Sequence, residues 1–134
     1  MKRDYSLSQE LRMSEQSLTG GGWVLSPQGA IDSNTTEQFR NRIQNILEEK
    51  SPTPDLLLDM SGVKYISSIG LGALIQLMKK SREESTAFAL YNPQLAVRRV
   101  LEISKLDFLL VNPAEPAALG PFSEYIRTKE AQRA

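Results

Sequence analysis

Two adjacent hydroxyls, Ser67 and Ser68, stand just ahead of Gly70 and Gly72 in the stretch KYISSIGLGALIQLM, residues 64–78. A serine at the entrance of a helix has two physical uses. Its oxygen can accept a hydrogen bond from a first-turn amide, a cap that contributes about 1 kcal/mol. It can also carry a phosphate, because free amides and the positive end of the helix dipole face the same place. Phosphorylation there adds about −1.5 to −2 charge and three acceptor oxygens. The two glycines remove side chains around the helix start, which suits close helix–sheet packing or the close approach of another molecule. The residues alone leave cap and phosphate acceptor open.

Other chemistry is restricted by composition. The 134-residue chain has no histidine and no cysteine. It therefore lacks the usual base near neutral pH, any thiolate nucleophile and any sulfur metal site. A Ser-His-Asp triad is impossible, and no lysine follows Ser67 or Ser68 in a Ser-x-x-Lys pattern. GLGALI follows an extended stretch and opens a helix, yet Ile75 stands where the dinucleotide-binding fingerprint needs its third glycine. The expectation is a chain without catalytic residues, metal or bound cofactor. Sixteen basic and sixteen acidic residues cancel, so no overall field draws in nucleic acid. No apolar run approaches the length of a membrane span, and MKRDYSLSQELRMSEQ lacks the apolar middle of a signal peptide. A cytoplasmic protein without membrane or nucleic-acid partners is expected.

The elements that must position the serines follow from periodicity. QELRMSE and WVLSPQGAI read as strands joined by a triple-glycine turn, with Pro27 marking an edge or an irregularity. Asn34 and Glu37 have capping-box spacing ahead of Phe39, Ile43, Ile46 and Leu47, which share one helical face. DLLLDM is a strand buried on both faces, and KYIS extends the chain briefly. A helix is expected over 70–82 with Leu71, Leu74, Ile75 and Met78 as its stripe, and TAFALY is a strand. Asn92-Pro93 signals a third helix with Leu95, Val100 and Leu101 on one side. DFLLV reads as a fifth strand. Asn112-Pro113 opens a short helix ending near Gly120, and 121–134 is a helix or a charged tail. The reading is a single α/β domain over 1–134: about five strands in a mixed, mostly parallel sheet, about four helices, a core at about 9–119 and a flexible lead at 1–8. Asp59 is expected to hold a turn. Lys79, Lys80, Arg82, Arg98 and Arg99 are expected at the surface, with Trp23 in packing.

LLLDMSGVKYISSIGLGALI resembles the central segment of STAS domains, especially bacterial anti-sigma factor antagonists. Asp59, Ser61, Gly62 and Val63 match the family's Asp-x-Ser-Gly-Val, and Ser68, Gly70, Leu71 and Gly72 match its Asp-Ser-x-Gly-Leu-Gly. Gly29 and Asp32 in LSPQGAIDSNTTEQFRNRI, and the segment LYNPQLAVRRVLEISKLD, extend the likeness over residues 9–119. The resemblance implies a STAS-like fold and a partner switch. In such antagonists the unphosphorylated protein binds an anti-sigma factor that is also a serine kinase, which frees a sigma factor. The kinase, bringing its own ATP and magnesium, phosphorylates the serine at the position of Ser68 and the complex dissociates; a phosphoserine phosphatase resets it. The implied docking residues are Asp32, Ser33, Asn34, Ser67, Ser68, Ile69, Gly70 and Gly72. Ser67 stands where the family has aspartate and is the alternative acceptor; Ile69 fills a position that is often small or polar. A monomer or weak dimer is expected. The other reading is a non-switching STAS interaction module, in a stress-sensing assembly or serving a transporter or lipid-trafficking system.

Overall fold

The structure is a computed structural model that describes residues 11–50 and 52–133. The expected lead at 1–8 lies outside the described residues. Strand β1 (Arg12–Ser17) and strand β2 (Gly22–Ile31) form an antiparallel hairpin, with Ser17 opposite Trp23 and Arg12 opposite Gln28. The turn between them uses Gly21 at φ +94°, a conformation that glycine adopts without steric cost. Helix α1 (Thr36–Glu49) leads to strand β3 (Asp55–Asp59) and strand β4 (Val63–Ile66). Helix α2 (Ser68–Glu83), strand β5 (Phe88–Tyr91), helix α3 (Leu95–Ile103) and helix α4 (Ser123–Arg133) follow.

The sheet runs β1-β2-β3-β5, and β4 pairs with the far half of β2. All pairings except β1–β2 are parallel. On one edge β2 meets β3 through Gly22–Leu25 and β4 through Gly29–Ile31. Pro27 falls at the seam between these partners, where its missing N–H costs no ladder bond on that edge. Side-chain alternation assigns the two faces. Leu25, Leu56, Leu58 and Leu90 meet Phe39, Ile43, Leu74, Val97 and Leu101 from α1, α2 and α3. Val24, Leu57 and Tyr91 point the other way, against Leu119, Phe122, Tyr125 and Ile126 at and before α4. The leucines of β3 are thus buried on both sides, as continuous apolar composition requires.

Several sequence expectations are corrected. The fifth strand is β4, not DFLLV: residues 107–109 form a 3-10 turn, and a single bridge joins Leu110 to Leu90. Asn92 is not a cap; it sits at φ +55°, and α3 begins at Leu95 after Gln94. Leu95 is 62% exposed, and the buried residues of α3 are Val97 and Leu101. The segment after Asn112-Pro113 contains two 3-10 turns, Pro116–Ala118 and Gly120–Phe122, in place of a short α-helix. The first helix starts after Thr35, so Asn34 does not cap it. In α2 the fully buried positions are Gly70, Ala73, Leu74, Leu77 and Ser81, while Leu71, Ile75 and Met78 are only partly covered. Trp23 is half-buried, with the Lys50 ammonium 4.2 Å from its ring centroid.

Candidate docking site at the entrance of the second helix

Ile31 and Ile66 end the parallel pair β2–β4 in register. The Ser67 amide donates to the Ile31 carbonyl at 2.9 Å, which carries the pairing one residue further. That bond holds Ser67 extended (φ −87°, ψ 173°), so the helix starts at the next residue. Ser67 is therefore the cap. Its Oγ accepts from the Gly70 amide at 3.2 Å and its carbonyl accepts from the Leu71 amide at 2.9 Å. Ser68, expected to precede the helix, is its first residue. It is exposed, and its hydroxyl has no hydrogen-bond partner among the described residues. The site lies at the carboxyl ends of parallel strands, where open α/β sheets place their recognition surfaces.

The two glycines have different roles. A Cβ at Gly70 would lie 2.8 Å from both Ile31 Cγ2 and Ile66 Cγ1 and 3.0 Å from the Ile31 carbonyl oxygen. Only glycine lets the first turn of α2 rest on the ends of β2 and β4. A Cβ at Gly72 would meet nothing within 4 Å. Packing does not require that glycine, and its face is open.

The β2–α1 loop sits beside this entrance. Asp32 Oδ1 accepts from the amides of Asn34 (2.9 Å) and Thr35 (3.2 Å), while Thr35 Oγ1 donates to the Ala30 carbonyl at 2.6 Å. Asp32, half-buried, thus organises the start of α1, and Ser33 and Asn34 are left exposed. The structure brings Asp32, Ser33 and Asn34 to the same sheet end as Ser67, Ser68, Ile69, Gly70 and Gly72; Gly70 is buried and offers no surface. Sequence reasoning passed over Tyr65. It is 54% exposed, just before the serines, and Ile69 just after Ser68 is 51% exposed. The burial order of Val63–Ile66 explains the omission: only the two ends turn inward, so no strict alternation marked an outward tyrosine.

Asp59 fixes its turn through Oδ1, which accepts from the Ser61 amide (3.0 Å) and hydroxyl (2.7 Å). Its other oxygen takes the Tyr125 phenol of α4. Burial, then the hydrogen bond to Asp59, pushes the Tyr125 phenol up. Tyr91 packs edge-on against Tyr125 at 6.3 Å and donates to Glu130. Burial, reinforced by Glu130, raises its phenol to about 12. Among the described residues no three carboxylates gather as a metal site, and no helix is long and apolar enough to cross a membrane.

The STAS domain family model matches residues 15–118. Similar solved structures include an anti-sigma factor antagonist from Mycobacterium paratuberculosis, at 26% identity and TM-score 0.66, covering 75% of this chain and 82% of that one. The Bacillus cell-fate determinant SpoIIAA in its phosphorylated form is 19% identical, with TM-score 0.60 and coverage of 75% and 89%. A sulfate transporter family protein from Wolinella succinogenes is 14% identical, with TM-score 0.61 and coverage of 84% and 89%. The mixed sheet, the Asp59–Val63 turn, the helix entrance that follows it and the match over 15–118 together place this chain in the STAS domain family.

Proposed function

We propose that this chain is a cytoplasmic, non-catalytic anti-sigma factor antagonist. Unphosphorylated, it docks an anti-sigma factor that is also a serine kinase, and phosphorylation of Ser68 releases it. The observation that carries the reading is the division between the serines: Ser67 caps α2, while the exposed Ser68 hydroxyl has no hydrogen-bond partner among the described residues. Ser68 is a better acceptor than Ser67, whose oxygen is half-buried and already bonded. A similar structure is that of an anti-sigma factor antagonist, and a further one is of a phosphorylated form. The kinase supplies ATP and magnesium, and a phosphoserine phosphatase resets the switch.

Tyr65 and Ile69 give the docking surface an apolar rim around a neutral hydroxyl. A phosphate there, beside the Asp32 carboxylate, puts like charges into a desolvated contact, which costs several kcal/mol. A loss of about 3 kcal/mol is roughly 150-fold in affinity. The test is incubation with the cognate kinase and Mg-ATP, then site mapping by mass spectrometry, alongside partner titration of wild type, Ser68→Ala and Ser68→Asp. Phosphate on Ser68 and release by Ser68→Asp are expected. Modification only elsewhere, or equal affinity for Ser68→Asp and wild type, refutes the switch.

Ser67 in place of the family's aspartate favours a second reading, a non-switching interaction module. It predicts tight binding to a partner that never transfers phosphate.

A further inference from the structure

We propose that α4 controls the docking surface from the opposite face of the sheet. Through Tyr125 and Asp59 it holds the turn between β3 and β4, and with it the strand that presents Ser67 and Ser68. Its effect on docking rests on the reading above; the mechanical link does not. That turn is held from four sides. The Met60 amide donates to the Tyr91 carbonyl of β5 at 2.8 Å, and the Gly29 amide of β2 donates to the Gly62 carbonyl at 2.9 Å. Gln94 Nε2, just ahead of α3, donates to the Ser61 carbonyl at 2.9 Å. The fourth hold is the Tyr125 phenol on Asp59, whose other oxygen accepts from the Ser61 amide and hydroxyl. Space is tight as well: a Cβ at Gly62 would lie 2.8 Å from Gln28 Cγ and 3.0 Å from the Pro27 carbonyl oxygen. The turn has no slack toward β2, so a change in it moves β4. That strand is four residues long and ends directly before Ser67, whose amide bonds to Ile31.

Three of the four holds lie inside the matched span 15–118, and Tyr125 alone comes from outside it. The segment that carries Tyr125 is built to come away. Its apolar anchors, Leu119, Phe122, Tyr125 and Ile126, are confined to one end. Beyond Ile126 every described side chain is exposed or half-buried, and the Tyr91–Glu130 bond is the tie that remains there. Elements with few buried contacts open at lower free energy than the core. When α4 lifts, the Asp59 oxygen loses its donor inside a buried site. A buried carboxylate oxygen without a donor is costly, so Asp59 must turn to find another, and its bonds to Ser61 go with it. Tyr125 is thus a positioning residue that acts through Asp59.

Amide hydrogen exchange of the full chain reads the link without any partner. Tyr125→Phe keeps the ring and removes the donor. It should speed exchange at 63–67 about fivefold or more beyond any change at 56–58 in β3. Tyr91→Phe removes the other tie of α4 and is the control: it should speed exchange at 127–133 and leave 63–67 at the wild-type rate. In titration with the cognate anti-sigma factor, Tyr125→Phe should dock about fivefold or more weakly, and Tyr91→Phe should match wild type. Unchanged exchange at 63–67 in a folded Tyr125→Phe, or equal acceleration there by Tyr91→Phe, overturns the link. Acceleration at 63–67 with undiminished docking overturns the control of the surface by α4. Acceleration in a chain whose wild type docks no anti-sigma factor upholds the link and sinks the antagonist reading instead. Should Tyr125→Phe fail to fold, exchange of the wild-type chain in rising urea replaces it. Then α4 and 63–67 should open as one unit ahead of β3, and opening of 63–67 only together with β3 overturns the link.

Discussion

Alanine at Gly72 should stabilise the protein and weaken docking, whereas alanine at Gly70 should destabilise it. Both glycines lie in the first two turns of α2, so both substitutions recover the helix-propensity cost of glycine, about 1 kcal/mol. At Gly72 nothing opposes that gain, because the added Cβ meets no atom within 4 Å. The expected net effect is about 0.5–1 kcal/mol of stabilisation, or roughly 2–4 °C in melting temperature for a chain of this size. At Gly70 the new carbon sits 2.8 Å from two isoleucine side chains and 3.0 Å from a backbone oxygen. The isoleucines are wedged in the core and the Ile31 carbonyl is held by the Ser67 amide, so relaxation must move the helix. Overpacking of this kind costs about 1–3 kcal/mol. The result is a net loss of up to about 2 kcal/mol after the propensity gain. Urea denaturation monitored by circular dichroism reads both signs, and partner titration with Gly72→Ala reads docking. Matching signs for the two variants would refute the packing argument. Unchanged affinity of Gly72→Ala would remove Gly72 from the docking surface.

Ser67→Ala should cost about 1 kcal/mol as a lost cap, while Ser68→Ala should stay within about 0.5 kcal/mol of wild type; thermal unfolding of the pair compares them. Tyr125→Phe deprives the buried Asp59 oxygen of its donor and should cost about 1.5–3 kcal/mol, read from the urea midpoint. Alkaline unfolding follows from Tyr91, whose phenol moves from 10.0 unfolded to about 12 folded. The fold favours the uncharged form, so this contribution is complete below pH 10 and is lost as pH rises from 10 towards 12. A stability–pH series should show that loss; Tyr91→Phe should reduce it, and the raised Tyr125 phenol should supply the part that remains.

The parts of this fold that were legible are those whose pattern is local. Phe39, Ile43, Ile46 and Leu47 share a helical face and are all buried. The leucine run of β3 is covered on both sides. What failed was decided by contacts distant in sequence. FLLV has strand composition, but Pro113 and Pro116 follow closely and only Leu110 reaches β5. Asn92 looked like a cap because asparagine also tolerates the left-handed region it occupies, so one residue type fits both roles. The assignment of roles to the two serines turned on a single tertiary bond, Ser67 amide to Ile31 carbonyl, which holds residue 67 extended and moves the cap back by one position. Helix α4 is polar over most of its length, and its ties run from Tyr125 to Asp59 and from Glu130 to Tyr91. Such pairs leave no periodic signal.

The separation of the serines also bears on how the switch proposed above would act without unfolding the domain. Of the first-turn amides of α2, those of Gly70 and Leu71 are taken by the oxygens of Ser67. The amides of Ser68 and Ile69 remain at the positive end of a 16-residue helix. A phosphate carried on Ser68 can lie against those donors and favours the helix start. Had Ser68 been the cap, modification would have removed the bond that begins the helix, and the switch would have worked through local unfolding. With the cap one residue upstream, the fold would keep its hydrogen bonds in both of the proposed states. Under the proposed switch only the residue-68 side chain, between Tyr65 and Ile69, would change, from a neutral hydroxyl to a dianion, and a docking partner would respond to that change alone.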